Sequence, residues 1–218
     1  LRRFSPHCLI SLGMPKDTTV KFLDRVFKGM AYMAAKFKIN IAGGDLSRAK
    51  QLAIDVSMLG IVEKKYLVLR SGAKNGDIIF VTGALGGSIK GKHLKFIPRL
   101  KEARLLVKNF KVNAMIDISD GLAQDLGHIL KQSNCGALLY EGLIPFSKEA
   151  KGLNDALYSG EDFELLFTLP HEQAKKLSRK NYLRCRPIGE ITEKKYGLTL
   201  IDKRGREKVI KPEGFRHF

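Results

Sequence analysis

The chain has 218 residues, of which 44% are hydrophobic, and this suffices for one large domain or two modest ones with a real core. Its formal net charge is +17, from 39 Lys and Arg against 22 Asp and Glu, and no apolar run in it is long enough to cross a membrane. The opening Leu1-Arg2-Arg3 does not begin a signal peptide, and because it leads straight into a predicted strand we expect a fragment of a longer protein.

The first third of the chain predicts three strands and one long helix. Residues 4–12 predict a strand, and residues 18–36 predict an amphipathic helix because apolar side chains recur there at helical spacing. INIAGGD predicts a short strand that ends in a glycine turn, and QLAIDVSMLGIV alternates as a half-buried strand. The apolar positions of that alternation are Leu52, Ile54, Val56 and Met58. The turn formers of LVLRSGAKNGD predict a connector and a domain boundary, with domains at 1–70 and 71–218.

The rest of the chain alternates between strands and helices. Residues 77–82 predict a strand, residues 98–110 a second helix, and DFELLFTL a further strand with alternating apolar positions. Those positions are Phe163, Leu165, Phe167 and Leu169. YGLTLIDKRGREKVI predicts a hairpin that turns at Arg204-Gly205. This order of elements predicts an α/β or α+β fold with mixed sheets.

The stretch AMIDISDGLAQDLGHIL, residues 114–130, predicts a strand that leads into a helix through Ser119-Asp120-Gly121. Asp120 or Ser119 could be the helix N-cap, a role that needs no function. Capping does not explain Asp117, which would lie in the strand among apolar neighbours, where an unpaired carboxylate is costly.

Three segments combine a predicted strand end, small residues and a carboxylate: residues 42–45, 117–121 and 159–162. Glycine lets a ligand approach the backbone, whose N–H groups bind anions. Carboxylates repel phosphate, but they bind it through Mg²⁺, which prefers a few carboxylates plus water and phosphate oxygens. The segments together therefore predict metal-bridged nucleotide binding, whereas for any one of them alone a capped turn is the favoured interpretation.

GGSIKGKH, residues 86–93, nearly matches a phosphate-binding loop. Gly86, Gly91 and Lys92 are correctly spaced, but His93 stands where Ser or Thr should hold the metal. The segment also follows VTGAL rather than leading directly from strand to helix. We interpret it as a glycine-rich turn and not as a phosphate-binding loop.

The histidines and cysteines form no ligand set at a metal or triad spacing. The histidines considered for such a set are His93, His128 and His217. His128 fits a helix surface, and solvated or capping roles are predicted for all of them. The three cysteines, Cys8, Cys135 and Cys185, are odd in number and far apart, which predicts reduced thiols in a cytosolic protein.

The net positive charge leaves nucleic-acid binding open as a function. Clustered cations bind phosphates and release counterions, but the basic residues of this chain are dispersed and no helix carries a dense basic stripe with interleaved aromatics. Lysines on solvated faces are the simpler interpretation. A small polyphosphate ligand would also benefit from this positive field.

Six segments taken in order resemble the thiamine-monophosphate kinase family: GGD, LRSGAKNGD, VTGALGGS, DISDGLAQDLGHIL, GEDFELLFT and GFRHF. The resemblance runs from about Leu9 to Phe218. It implies the two-domain fold of aminoimidazole ribonucleotide synthetase and selenophosphate synthetase, with residues 1–70 as the remainder of an ATP- and metal-binding domain. It also implies a cytoplasmic enzyme, a homodimer when full length, that transfers the γ-phosphoryl group of ATP to thiamine monophosphate with several Mg²⁺ ions.

The resemblance also implies roles for particular residues. The implied Mg²⁺ ligands are Asp45, Asp117 and Asp120. The implied ATP contacts are Gly44, Asp45, Arg70 and Ser119. Glu161 and Phe215 match the residues that bind the substrate, and Asp125 is interpreted as a helix-surface residue. No general base is assigned, because the attacking phosphate oxygen is already ionised at neutral pH.

The chain departs from the family pattern in three places. The family's Gly-Asp-Asp segment and further metal-binding aspartates would precede Leu1, so we expect this chain to lack part of the metal cluster. Asp45 is followed by Leu46 where Thr is usual, and Ser159 replaces a common Gly. Strands that build the family's dimer barrel would also precede Leu1, and exposed strand edges favour association or instability.

Two other functions remain open at this point. A selenophosphate synthetase-like or hydrogenase-maturation-like enzyme would keep the use of ATP and change the acceptor. A catalytic Cys near either terminus would favour such an enzyme, and the terminal GFRHF has none. A basic nucleic-acid-binding module is less favoured, since it rests on charge alone and predicts salt-dependent binding that Mg-ATP does not displace.

Overall fold

The computed structural model describes residues 6–179 and 184–215. The chain divides into two compact units, Leu1–Lys65 and Tyr66–Phe218. The division lies five residues before the boundary predicted at residue 70, and the assignment of functional domains to the two parts stays a prediction.

The first unit is a three-stranded mixed sheet with one long helix. Its elements are β1 (His7–Met14), α1 (Val20–Phe37), β2 (Asn40–Arg48) and β3 (Ala53–Leu59). The strand order is β2-β1-β3, with β1 parallel to β2 and antiparallel to β3. Thr19 caps α1, because its hydroxyl accepts the Phe22 N–H at 3.3 Å. Phe4, where the first strand was predicted to begin, lies outside the described residues.

One side of β1 forms the small core of this unit. Cys8, Ile10 and Leu12 are buried, and Leu23 and Met30 of α1 are among the side chains packed against them. The prediction of a half-buried third strand was wrong, because every residue of β3 is exposed. Its apolar side chains are uncovered over about half of their surface: Ile54 47%, Val56 50% and Met58 54%.

The glycine pair in INIAGGD packs two strands together and does not form a turn. β2 continues through Gly43, Gly44 and Asp45 to Arg48, so the predicted strand end was wrong. A Cβ atom on Gly44 would lie 1.8 Å from the Ile10 carbonyl oxygen. The pairing also shifts register between Cys8 and Leu9. Glycine is therefore required by the close approach of β2 to β1.

The second unit is a seven-stranded mixed sheet with helices on both faces. Its strands are β4 (Ile78–Thr82), β5 (Ala114–Asp117), β6 (Cys135–Tyr140), β7 (Leu165–Leu169), β8 (Cys185–Glu193), β9 (Leu198–Ile201) and β10 (Glu207–Val209). Its helices are α2 (Leu100–Asn109), α3 (Leu122–Ser133), α4 (Leu153–Tyr158) and α5 (His171–Ser178). The strand order is β10-β9-β6-β8-β4-β7-β5, and β6 and β9 are the parallel pair. The predicted α/β class with mixed sheets is confirmed.

Two hydrophobic cores lie on opposite faces of the seven-stranded sheet. The larger contains α3 and α4 side chains together with Ile118, and Ile116 packs against it. The smaller contains α2 and α5 side chains, with Phe80 and Phe167 stacked at 5.5 Å, and Met115 packs against it. Successive residues of β5 thus face opposite cores, as the alternation predicted.

The predicted hairpin is present in the structure, whereas the strand predicted for DFELLFTL is shorter than expected. β9 and β10 pair antiparallel, and Gly205 adopts a φ of 78° in the turn between them, which confirms the hairpin. The strand was predicted three residues too long, because β7 begins at Leu165 and Phe163 has a φ of 51°. An extended strand excludes that left-handed conformation.

The cysteines of the second unit are weak nucleophiles. Cys135 and Cys185 are free thiols, and burial raises their pKa to about 11 and about 12 respectively. Both therefore stay protonated at neutral pH, and the thiolate is the reactive form. Within residues 6–179 and 184–215, none of the helices reaches the length and hydropathy of a membrane-spanning segment.

Candidate active site

The turn between β5 and α3 is stabilised by a carboxylate on the helix that follows it. α3 begins after Gly121, and neither Ser119 nor Asp120 caps it with a side chain, so the predicted N-cap was wrong. Instead, Asp125 Oδ2 accepts the backbone N–H groups of Ser119, Asp120 and Gly121 at 3.0, 3.0 and 3.1 Å. The Gly121 N–H is a donor that the start of a helix leaves unpaired, and the other two belong to the turn before the helix.

Asp125 is buried, and the prediction of a helix-surface residue was wrong. Its exposed fraction is 1%, and burial raises the pKa of its carboxyl to about 6 although the three N–H bonds act to lower it. The helical spacing contained the signal for this position. Asp125 lies three residues after Leu122 and four before Ile129, both of which are core residues of α3.

A cleft of about 450 Å³ opens beside this turn and is lined by four of the predicted site residues: Arg70, Asp117, Ser119 and Asp120. The Arg70 segment reaches the cleft along the edge of the sheet. The Leu69 carbonyl accepts the Met115 N–H at 3.1 Å, and Ser133 Oγ donates to the Arg70 carbonyl at 3.3 Å. Residues far apart in the sequence thus line one cleft.

The cleft contains a set of side chains that can bind a cation. Ligand atoms of Asp120, Asp125 and His128 all lie within 4.8 Å of one another. The prediction that His128 has no carboxylate at a metal spacing was wrong, because Asp125 lies three residues before it on the same helix and Asp120 lies in the adjoining turn. Asp117 is the last residue of β5 and is exposed. Carboxylate oxygens of this kind are the ligands that Mg²⁺ prefers.

The loop that carries Glu161 is hydrogen-bonded to the same turn. The Ser119 carbonyl accepts the Glu161 N–H at 2.7 Å, and the Ile118 carbonyl accepts the Phe163 N–H at 2.8 Å. A Cβ atom on Gly160 would lie 2.6 Å from the Ser119 carbonyl oxygen, so the approach requires glycine. This segment follows α4 and precedes β7, so its prediction as a strand end was wrong.

The C-terminal segment is also hydrogen-bonded to the turn after β5. The Asp120 carbonyl accepts the Phe215 N–H at 2.9 Å. Gln124 Nε2 donates both to the Phe215 carbonyl at 3.2 Å and to Asp120 Oδ2 at 3.1 Å. The Phe215 side chain is 57% exposed. Residues 216–218 of the GFRHF segment lie outside the described residues.

The glycine-rich segment 86–93 is not a phosphate-binding loop. It forms two short 3₁₀ turns, Ser88–Lys90 and Lys92–Leu94, where a phosphate-binding loop would lead into a helix. Lys92 Nζ donates to Glu164 Oε1 at 3.1 Å and to the Ala84 carbonyl at 3.0 Å. The lysine that would bind phosphate is therefore engaged by a buried carboxylate.

Glu164 is the centre of a buried ion network beneath the Glu161 loop. It is 1% exposed, and Arg99 donates to both of its oxygens at 2.7 Å. Thr82 Oγ1 donates to it at 2.8 Å. Bidentate arginine contacts of this kind satisfy a buried carboxylate. No local sequence pattern predicts this network, because the partners of Glu164 precede it by between 65 and 82 residues.

Gly44 and Asp45 belong to the first unit. Both lie in β2, where Gly44 pairs opposite Ile10 and Asp45 opposite Ser11. The Asp45 side chain is exposed. The close approach of strands described above explains Gly44 without a ligand, whereas nothing in strand packing requires a carboxylate at Asp45.

Two family models match the chain, and together they cover most of it. Residues 6–62 match the AIR synthase related protein, N-terminal domain. Residues 59–201 match the AIR synthase related protein, C-terminal domain. The two matches meet close to the division between the two units.

Known proteins of two kinds are similar to this chain. The thiamine-monophosphate kinase of Buchnera aphidicola subsp. Schizaphis graminum is 40% identical, over 96% of this chain and 73% of that protein. The solved structure of AaThiL complexed with AMPPCP and TMP has a TM-score of 0.82 and 29% identity, over 98% of this chain and 74% of its own. E. coli HypE, a hydrogenase maturation protein, has a TM-score of 0.79 at 19% identity, over 96% of this chain and 74% of its own, which shows a shared fold alone.

Proposed function

The chain belongs to the thiamine-monophosphate kinases of the AIR synthase-related family, and we propose that it transfers the γ-phosphoryl group of ATP to thiamine monophosphate, giving thiamine diphosphate and ADP. One observation supports this reaction most directly. The carbonyls of Ile118, Ser119 and Asp120 bind the Glu161 loop and the C-terminal segment, so candidate nucleotide and acceptor residues surround one turn.

The reaction requires positive charge more than it requires a base. The attacking group is a phosphate oxygen that is already ionised at neutral pH. ATP and the acceptor phosphate repel each other, and a fixed cation offsets that repulsion. Arg70 lines the cleft and has a fork of donors suited to phosphate oxygens. We assign it to the ATP phosphates.

Ser119 would contact ATP through its hydroxyl. Its N–H is bound by Asp125 and its carbonyl by Glu161, so both backbone groups are already in use. The side chain lines the cleft and remains available. A hydroxyl both donates and accepts hydrogen bonds, which suits a phosphate or ribose oxygen. Gly44 and Asp45, in the first unit, are proposed as ATP-binding residues in their own right.

The donor set in the cleft fits Mg²⁺. We propose that Asp117 and Asp120 hold it, and Asp45 in the first unit is proposed separately as a Mg²⁺ ligand. When bound, Mg²⁺ neutralises phosphate charge and polarises the transferred group. Asp125 Oδ2 is occupied by three N–H groups, so the role of this residue is to orient the Asp120 backbone.

Glu161 and Phe215 are proposed to bind the thiamine part of the acceptor. The thiazolium ring is a cation, which a carboxylate attracts and an aromatic face stabilises. Their backbones are tied to adjacent carbonyls of the turn, so the two side chains project from neighbouring points. The acceptor would then reach the cleft that Arg70 and Asp117 line.

We also propose that the full-length enzyme is a cytoplasmic homodimer. The outer strands of the three-stranded sheet are β2 and β3, and neither has a buried residue. Exposed apolar strands of this kind favour pairing with a second chain. Free thiols at Cys135 and Cys185 suit a reducing compartment.

The decisive experiment is product formation by the full-length protein. With ATP, Mg²⁺ and thiamine monophosphate, we expect equal amounts of thiamine diphosphate and ADP. Unphosphorylated thiamine in place of the acceptor should give neither product, and excess chelator should stop the reaction. Absence of thiamine diphosphate with every component present would overturn the proposal.

A further inference from the structure

The loop that carries Glu161 has an unusual backbone. Gly160, Glu161 and Phe163 have φ values of 68°, 54° and 51°. Left-handed conformations are uncommon for residues with a Cβ atom, and two of them within three residues persist only where the surroundings enforce them. Something outside the loop must therefore hold Glu161 in place.

Part of that restraint comes from the turn after β5. It binds the N–H groups of Glu161 and Phe163, as described above. The Phe163 ring also stacks on Phe96, with ring centroids 4.1 Å apart. These contacts leave the carbonyl of Glu161 and the side chain of Asp162 to be bound from another side.

The glycine-rich segment 86–88 binds both of these groups. Ser88 Oγ donates to the Glu161 carbonyl at 2.7 Å, and Ser88 is 1% exposed. Both oxygens of Asp162 accept the Gly86 N–H, at 3.0 and 2.9 Å. Ser147 Oγ donates in turn to the Gly86 carbonyl. The segment is thus itself anchored and can transmit a restraint.

We propose that Ser88 is a positioning residue for the acceptor site, which sets the direction of Glu161 by binding its carbonyl. The glycine-rich segment then acts through the acceptor-binding loop and not on the phosphates of ATP. This inference rests on the proposed role of Glu161. It accounts for two facts that the proposed function leaves aside, namely the near-match to a phosphate-binding loop and the buried hydroxyl of Ser88.

A purely structural role for Ser88 predicts a different result. A buried hydroxyl that only stabilises the fold would, when lost, lower stability without favouring one substrate over the other. A hydroxyl that orients Glu161 would weaken binding of the acceptor and leave ATP binding unchanged. Thr199 provides the matched control, because its buried hydroxyl donates to the Tyr196 carbonyl at 2.9 Å in β9.

The experiment measures KM for thiamine monophosphate and for ATP in the full-length protein. Ser88→Ala should raise the acceptor KM about tenfold, the effect of one lost hydrogen bond, with the ATP KM and kcat unchanged. Ser88→Cys keeps a side chain of similar size with a weaker donor. Its acceptor KM should lie between those of the parent protein and Ser88→Ala. Thr199→Val should leave both KM values unchanged.

A double variant and hydrogen exchange complete the test. Ser88→Ala should add nothing to the acceptor KM of Glu161→Ala, because it acts through that residue. It should also speed amide exchange at Glu161 and Phe163 but not at Ala137 in β6. A raised KM in Glu161→Ala with a normal KM in both Ser88 variants would overturn this inference alone. A normal acceptor KM in Glu161→Ala would overturn the proposed role of Glu161 as well.

Discussion

Carboxylates in the second unit have distinct surroundings, and these separate chemical from structural roles. Asp117 is exposed at a strand end, whereas Asp125, Asp162 and Glu164 are each 1% exposed and hydrogen-bonded to named partners. An exposed carboxylate contributes little to stability when it is removed. A buried carboxylate with several partners contributes much more, because its loss leaves those partners unsatisfied.

Asp117→Asn should reduce turnover at least about 100-fold, because the substitution removes the charge that holds Mg²⁺. Its effect on the free energy of unfolding without metal should stay within about 0.5 kcal/mol. Turnover across Mg²⁺ concentrations and chemical denaturation measure the two effects. Glu172→Gln, on the exposed face of α5, is the control. Normal turnover of Asp117→Asn at low Mg²⁺ would exclude Asp117 as a ligand.

Asp162 should make the protein less stable as pH rises from about 4 to about 6. Burial raises its pKa from 3.8 to about 6, so between these values the folded state binds the proton more tightly than the unfolded state. The contribution of protonated Asp162 to the free energy of unfolding is complete below about pH 4 and is lost as the carboxyl ionises in the folded state. It amounts to at most about 3 kcal/mol.

Asp162→Asn isolates this contribution. The difference in unfolding free energy between the variant and the parent protein should change across that pH range and be constant above it. Asp202→Asn is the control, because hydrogen bonds from Arg206 lower the pKa of Asp202, a partly exposed group in the hairpin turn. A difference that is independent of pH would show that Asp162 ionises normally.

At the scale of elements, the N-terminus of α3 depends on one side chain. Asp125→Ala should lower the free energy of unfolding by about 3 kcal/mol, because it leaves three N–H groups unpaired in a partly buried turn. Turnover should fall as well, since Asp120 loses its fixed orientation. Gln132→Ala, exposed on the same helix, should change neither quantity. Unchanged stability in Asp125→Ala would mean that water satisfies the turn.

A substitution in the C-terminal segment should weaken binding of the acceptor and leave binding of ATP unchanged. Phe215→Ala should raise the KM for thiamine monophosphate and leave the KM for ATP unchanged, because the aromatic face is lost and Arg70 and Ser119 are untouched. The backbone bonds of residue 215 persist in the variant, so the segment stays attached. Equal changes in both KM values would exclude Phe215 from the acceptor site.

Elements with a strong local pattern were predictable, and elements set by distant contacts were not. The strand, turn and helix of residues 114–130 follow from a change of hydrophobic period at Gly121. β2 passes straight through Gly44, because a neighbouring strand requires the glycine there. The Glu161 loop has left-handed residues that no local propensity favours, and its hydrogen-bond partners lie 42 to 76 residues earlier in the chain. For the candidate site, motif resemblance predicted residues at the β5–α3 turn. It did not predict the buried groups Asp125, which binds the turn, and Ser88, which binds the Glu161 loop.

At the scale of the whole molecule, β3 offers a test of assembly. Its apolar side chains are about half exposed, and a second chain that covered them would bury them. Val56→Lys should shift the full-length protein from dimer to monomer, as measured by light scattering after gel filtration. Lys50→Glu, an exposed change of charge before β3, should leave the mass unchanged. A monomeric parent protein would exclude the proposed dimer.

The three successive carbonyls of the β5–α3 turn have a consequence for how this protein can vary. Backbone hydrogen bonds, which do not depend on side-chain identity, join the acceptor loop and the C-terminal segment to the turn. The backbone contacts therefore do not depend on the identities of Ser119 and Asp120, although Asp120 Oδ2 also accepts a hydrogen bond from Gln124. A related chain could exchange these side chains for others with new chemistry and still bring the same three segments together. The glycines that make room for the contacts, such as Gly160, and Asp125, which binds the N–H groups of the turn, would have to stay.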